Sequence, residues 1–208
     1  VMFGVVKSGA CVVPISGLLT ADQMGHLLLD SGASVIIASP EYIERLDQQR
    51  GQLAGVAADH WIVVHGYSDG WRPYEDWLSG VSIDTPKVTY QPEDDFNIIY
   101  SSGTTGLPKG IVQAHRARSH WAVSNAIEMG FRDHSRALTT TSLYSNGTWL
   151  MMLPVLFAGG TCVVMPSFDP GAFLDALDNE HITHTFMVPA QFIAVLEMPP
   201  RRANAATN

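Results

Sequence analysis

Between residues 100 and 110 the chain reads Tyr-Ser-Ser-Gly-Thr-Thr-Gly-Leu-Pro-Lys-Gly. Ser101, Ser102, Thr104 and Thr105 bring hydroxyl donors, and Lys109 brings one full positive charge. Gly103, Gly106 and Gly110 carry no side chain, so the backbone can approach a ligand closely and take positive φ, aiming successive amides at one oxyanion. Hydroxyls, amides and a cation in one short stretch suit a phosphate group. The pattern is not the common nucleotide-triphosphatase loop. After Gly103 and four intervening residues stands Pro108 where that motif has Gly, and Lys109 is followed by Gly110 instead of Ser or Thr. A plain surface turn has a similar composition, and residue types alone leave both readings open.

Such a loop needs elements to hold it. The apolar run 96–100 predicts a short strand leading in, Ile111-Val112 a brief extension on the far side, and 116–129 a helix. His115, His120 and Trp121 follow the loop at helical spacings. A lone histidine in such a place is more often a packing or surface residue than a catalyst, so no chemistry is assigned to them.

The rest of the chain alternates strand and helix. Upstream, a helix is expected over 1–8 and a strand over 11–15. Thr20-Ala-Asp-Gln23 forms a capping box for a helix whose apolar face is Met24, Leu27 and Leu28, and Gly32 is placed to end it. A strand over 34–38, a helix from Pro40 towards Leu53 and a strand over 61–65 follow. Residues 66–92, rich in Gly, Pro, Ser and Asp, read as a long connection with one helical turn near 74–78. Downstream, strands are expected at 137–141, 161–165 and 184–187. Helices are expected at 148–157, after Asp169-Pro170, and after Pro189. This alternation predicts an α/β fold with a largely parallel sheet. The expected organisation is an α/β lobe over 1–92, a second over 93–198 opening with the loop, and an irregular tail over 199–208.

Bulk composition narrows the function classes. At 208 residues, 46% hydrophobic and 15% charged, the chain is that of an ordinary globular protein. A formal net charge of −8, with basic residues scattered apart from short groups such as His115-Arg116-Ala117-Arg118, argues against a nucleic-acid surface. An anion must then be held by a local site. Cys11 and Cys162 each sit in apolar β-type runs, as buried free thiols do, and predict neither a disulfide framework nor a metal site. No apolar run is long enough to span a membrane and no signal peptide is evident, which points to the cytoplasm. Both ends read as cut, with Val1 in mid-pattern and apolar periodicity stopping near Pro199.

The string from Tyr100 to Gly110 resembles the signature of the AMP-binding superfamily, which includes acyl-CoA synthetases, aryl-CoA ligases, luciferases and the adenylation domains of peptide synthetases. Lys7-Ser-Gly-Ala-Cys-Val-Val-Pro14 and Asp30-Ser-Gly-Ala-Ser-Val-Ile-Ile37 are similar to the family's upstream region. Ala158-Gly-Gly-Thr161, Phe168-Asp-Pro170 and Thr183-His-Thr-Phe-Met-Val-Pro189 are similar to its downstream region. The likeness covers residues 1 to about 197.

That resemblance implies part of the large N-terminal domain of an adenylate-forming ligase. It implies ATP and Mg2+ as cofactors, with a small-molecule carboxylic acid and coenzyme A as partners. The acid attacks the α-phosphorus of ATP, pyrophosphate leaves, and the CoA thiol then displaces AMP. In this reading Lys109 is catalytic, and Ser101, Ser102, Gly103, Thr104, Thr105, Gly106 and Gly110 bind phosphate with it. By the same resemblance Tyr144, Ser145, Asn146, Gly147 and Trp149 border the acyl pocket, although many CoA ligases carry His where this chain has Ser145. Amino-acid-activating members present an Asp near here, and 142–149 contains no acidic residue. A fatty or other acyl acid is thereby favoured over an amino acid.

The apolar helix expected over 148–157 reads as core before tunnel lining. No metal ligand is assigned. The family's adenine, ribose and second lysine motifs are not found in the chain, so the piece alone is expected to be inactive. The alternatives are an adenylation domain of a peptide synthetase and a truncated, non-catalytic product.

Overall fold

The computed structural model describes residues 1–101 and 108–199. The chain forms two compact units, Val1–Ala117 and Arg118–Asn208. This division lies at a different place from the expected one at 92/93, because the strands after residue 93 are bonded back to the first unit. Val12 N donates to Phe96 O at 3.2 Å and Ile98 N to Val12 O at 3.0 Å.

In the first unit, helix α1 (Met2–Lys7) is followed by α2 (Ala21–Asp30). Thr20 and Gln23 close the reciprocal cap of α2: Gln23 N donates to Thr20 Oγ1 and Thr20 N to Gln23 Oε1. Met24, Leu27 and Leu28 turn inward, and Gly32 ends the segment at φ 63°. Strands β1 (Ile36–Ala38), β2 (Trp61–Val63) and β3 (Arg72–Pro73) form a parallel sheet in that order. Its core gathers Met24, Leu28, Ile36, Leu46, Trp61, Val63 and Trp71.

Two local expectations change. The strand over 11–15 reduces to a single parallel bridge between Val12 and Asn97; Pro14 has no N–H to extend a ladder. The helix from Pro40 to Leu53 is a 3-10 turn, Pro40–Tyr42, and then α3 (Ile43–Asp47). After Asp47 the chain tightens into successive turns that bring Leu53 and Val56 into the core. Asp47 itself accepts from Trp71 Nε1 at 2.9 Å and from Arg50 Nε at 2.6 Å, and the Arg50 guanidinium lies 4.1 Å from the centre of the Trp61 ring. The expected helical turn near 74–78 is α4 (Tyr74–Leu78). The unit then adds an antiparallel pair, β4 (Asp95–Ser101) and β5 (Lys109–Ala114), and α5 (His115–Glu128) leads into the second unit.

The second unit alternates β6 (Arg136–Thr139), α6 (Asn146–Phe157), β7 (Thr161–Val164), α7 (Pro170–Asn179), β8 (His184–Phe186) and α8 (Pro189–Leu196). Its sheet is parallel, in the order β7-β6-β8, which makes β6 central. Asp169 caps α7 by accepting from Ala172 N at 2.7 Å, and Pro170 occupies the first turn, where its missing N–H costs nothing. The fold is therefore α/β with parallel sheets, as expected, apart from the antiparallel hairpin. Among the described residues no helix is long and apolar enough to cross a membrane.

Candidate active site

The glycine-rich segment connects two strands that pair directly. β4 and β5 run antiparallel, with Tyr100 opposite Gly110 and Ser101 opposite Lys109. Ser102, Gly103, Thr104, Thr105 and Gly106 lie outside the described residues, and Ser101, Lys109 and Gly110 frame them. Ser101 and Lys109 are both exposed. Lys109 takes part in none of the ion pairs found among the described residues, so its charge is not neutralised within that set.

The base of the hairpin is fixed by Tyr100. Its hydroxyl donates to Asp30 Oδ2 at 2.6 Å and lies 3.2 Å from Leu27 O, both on α2. Burial, then the hydrogen bond and charge of Asp30, push the phenol well above its ordinary range. Gly110 is not among the glycines at positive φ. A Cβ there would stand 3.0 Å from Ile98 Cγ2 and 3.1 Å from the Tyr100 ring, so a side chain would crowd both. The ring lies across the position a side chain would occupy.

His115 continues the packing. Its ring sits 5.0 Å from Tyr90 and 5.2 Å from Phe96, centre to centre, and Arg116 pairs with Glu93. His120 Nε2 is 3.4 Å from Ser124 Oγ on the same helix.

In the second unit, the residues expected to border the acid follow the carboxyl end of β6, the central strand of its sheet. Ligands of open α/β sheets characteristically bind at carboxyl ends of strands. Ser145 caps α6, accepting from Gly147 N at 3.2 Å. Tyr144 is half-buried and Asn146 exposed. Gly147 is buried so closely against Phe186 that a Cβ would come within 2.2 Å of its ring. Trp149 is fully buried, and its Nε1 donates to Leu143 O at 2.7 Å.

Most of α6 is core, with Met151, Met152, Pro154 and Val155 buried, while Leu156 and Phe157 are exposed at its end. Its mostly buried body agrees with the core reading. The loop before it is held by Thr148 Oγ1, which bonds Thr141 O and lies 2.8 Å from Ser142 O. Gln191 closes the neighbouring strand ends by donating to Thr140 O at 2.9 Å and accepting from Val188 N at 3.1 Å.

Sequence reasoning noted Arg118 only as one of a short basic group; it is 3% exposed. Its Nη2 donates to Asn146 Oδ1 at 3.0 Å, and its guanidinium lies 4.9 Å from the Trp121 ring and 5.1 Å from the Trp149 ring. Spacing held the signal: Arg118, Ala122 and Ala126 recur every four residues, and all three are buried. Among the described residues no three His, Cys, Asp or Glu side chains are grouped so as to hold a metal ion.

Comparisons with known proteins bear on this arrangement. The family model described as AMP-binding enzyme matches residues 1–208. The chain is 32% identical over 201 residues to an indoleacetate–CoA ligase of Aromatoleum aromaticum, covering 95% of the chain and 39% of that protein. It is 30% identical over 203 residues to a long-chain-fatty-acid–CoA ligase of Mycobacterium tuberculosis, covering 95% of the chain and 38% of the relative. Among solved structures, the anthranilate CoA ligase AuaEII in complex with anthranoyl-AMP superposes with a TM-score of 0.86 at 28% identity, over 93% of this chain and 38% of that one. The chain thus spans about two fifths of the length of each of these proteins.

Proposed function

The chain belongs to the AMP-binding enzyme family, and from that premise we propose that its protein is an AMP-forming acid–CoA ligase. The carboxylate oxygen of a small acid bonds to the α-phosphorus of ATP, and the bond to the bridging oxygen of pyrophosphate breaks. The CoA thiol, losing its proton, then bonds to the acyl carbon and AMP leaves. The products are a thioester, AMP and pyrophosphate. Such use of ATP and coenzyme A suits a cytoplasmic enzyme.

The observation that carries this reading is the pairing of Ser101 with Lys109 across the mouth of the glycine-rich segment. It sets a hydroxyl and an exposed cation at the two ends of a stretch rich in hydroxyl residues and glycines. Negative charge grows on the pyrophosphate oxygens as the α-phosphorus bond breaks, and Lys109 with Ser101, Ser102, Thr104, Thr105 and the amides of Gly103, Gly106 and Gly110 would stabilise it. Magnesium, when bound, would shield phosphate oxygens.

In this reading the acid would bind against Tyr144, Ser145, Asn146, Gly147 and Trp149, which follow the carboxyl end of β6. No acidic residue lies in 142–149 to pair with an ammonium group, which favours a simple carboxylic acid over an amino acid. The similar proteins named above act, by their names, on indoleacetate, a long-chain fatty acid and anthranilate, so both aromatic and aliphatic acids belong in the test. Pyrophosphate release is measured with the intact enzyme, ATP, magnesium and a panel of aryl, fatty and amino acids, followed by detection of the CoA thioester. Release with an aryl or fatty acid and a CoA product is expected. Release with amino acids alone, loaded onto a carrier protein and never onto CoA, would refute the reading.

A further inference from the structure

Arg118 is an expensive residue to bury. Removing a guanidinium from water is costly unless hydrogen bonds and stacking offset the loss. Burial lowers its pKa to about 10, so it remains charged at neutral pH. On the buried stripe with Ala122 and Ala126 an apolar side chain would fill space without that cost.

Part of the offset comes from the first turn of α6. Arg118 Nη2 donates to Asn146 Oδ1 at 3.0 Å. Because a guanidinium only donates, the Asn146 amide is held with its oxygen towards Arg118. The cation also lies against the Trp149 ring, and Trp149 Nε1 holds Leu143 O at 2.7 Å. One buried cation therefore holds the first residue of α6 directly at Asn146 and, through Trp149, the preceding loop at Leu143. Trp121 lies against the same guanidinium, 4.9 Å away.

We propose that Arg118 is a positioning residue for acid selection, holding the segment 142–147 in the conformation that receives the carboxylic acid. This rests on the reading above that 142–149 borders the acid. Arg118 acts through Asn146 and Trp149.

The test uses the intact ligase carrying Arg118→Met, Arg118→Lys, Asn146→Ala or Tyr144→Ala, with KM for the acid and for ATP measured separately by pyrophosphate release across several acids. Arg118→Met and Asn146→Ala should each raise the acid KM roughly tenfold, the lower end of what losing a charge-assisted hydrogen bond costs. They should reorder the acids and leave the ATP KM unchanged. Arg118→Lys should recover only part, since an ammonium keeps the charge but not the planar fork.

If Arg118→Met and Asn146→Ala keep the wild-type acid KM and ranking while Tyr144→Ala alters them, the role of Arg118 is refuted and the pocket stands. A joint rise of acid and ATP KM would also refute it, because general loosening affects both substrates. If Tyr144→Ala too changes nothing, the pocket reading falls, and this proposal with it. Should Arg118→Met fail to fold, Asn146→Ala, at an exposed side chain, decides between the same outcomes.

Discussion

The Tyr100 hydroxyl donates to the Asp30 carboxylate at 2.6 Å, joining the penultimate residue of β4 to the last residue of α2. The bond fixes the strand that enters the glycine-rich segment to a helix with its own reciprocal cap and buried face. Rigid support of this kind lets a loop present donors without ordering them anew for each substrate.

Tyr100→Phe keeps the ring over Gly110 and removes only the hydroxyl. The pair is partly exposed, so the loss should be about 1 kcal/mol, below the usual value for a bond to a charged group. Urea unfolding measures it. Asp30→Asn, which keeps an acceptor, should lose less than Tyr100→Phe; equal or greater loss would show that the hydroxyl–carboxylate bond is not the anchor.

Two glycines should respond unequally to alanine. At Gly110 the new methyl meets Ile98 Cγ2 at 3.0 Å and the Tyr100 ring at 3.1 Å, contacts that small side-chain shifts can relieve. At Gly147 it meets the Phe186 ring at 2.2 Å in a buried site, and overpacking of that kind costs about 1–3 kcal/mol. Thermal unfolding should therefore rank Gly147→Ala as the more damaging. The reverse order would contradict the packing described.

Alkaline pH should weaken the first unit. Burial, then the charge of Asp95, raises the Cys11 thiol from 9.0 to about 11. The fold favours the neutral thiol, so this contribution is complete below pH 9.0 and is lost as pH rises to about 11. Tyr100, also raised, acts in the same direction at still higher pH. Melting temperature followed through that window should fall less steeply in Cys11→Ser, whose hydroxyl does not titrate there; identical slopes would remove Cys11 from the account.

Much of this architecture could be read from residue types. The Thr20–Gln23 box, the Asp169-Pro170 start and the apolar runs of β2, β6 and β7 each have a local cause, and local causes are visible in a string of letters. The antiparallel pairing of β4 with β5 was not, because strand direction depends on partners far away or across a turn. Nor was the reduction of 11–15 to one bridge, where Pro14 limits pairing that depends on Asn97. Gly110 was singled out for backbone freedom, yet it is not at positive φ, and the Tyr100 ring packs beside it. Arg118 stood out only as one of a short basic group, because a basic residue on a helix is ordinarily solvated. The positions of Asn146, Trp121 and Trp149, far from it in the string or one turn along the helix, help to make it buried and bonded. At the loop itself, the spacing of hydroxyls, glycines and Lys109 was legible, while Ser102 to Gly106 lie outside the described residues.

The central claim is that Lys109 stabilises charge on departing pyrophosphate, and Lys109→Ala in the intact ligase tests it most directly. Lys109 is exposed and in no ion pair among the described residues, so the melting temperature should not change. Pyrophosphate release with saturating acid and ATP should slow by about a hundredfold, comparable to removing one preorganised donor from a charge-stabilising site. Release at the wild-type rate from the folded variant would contradict the account.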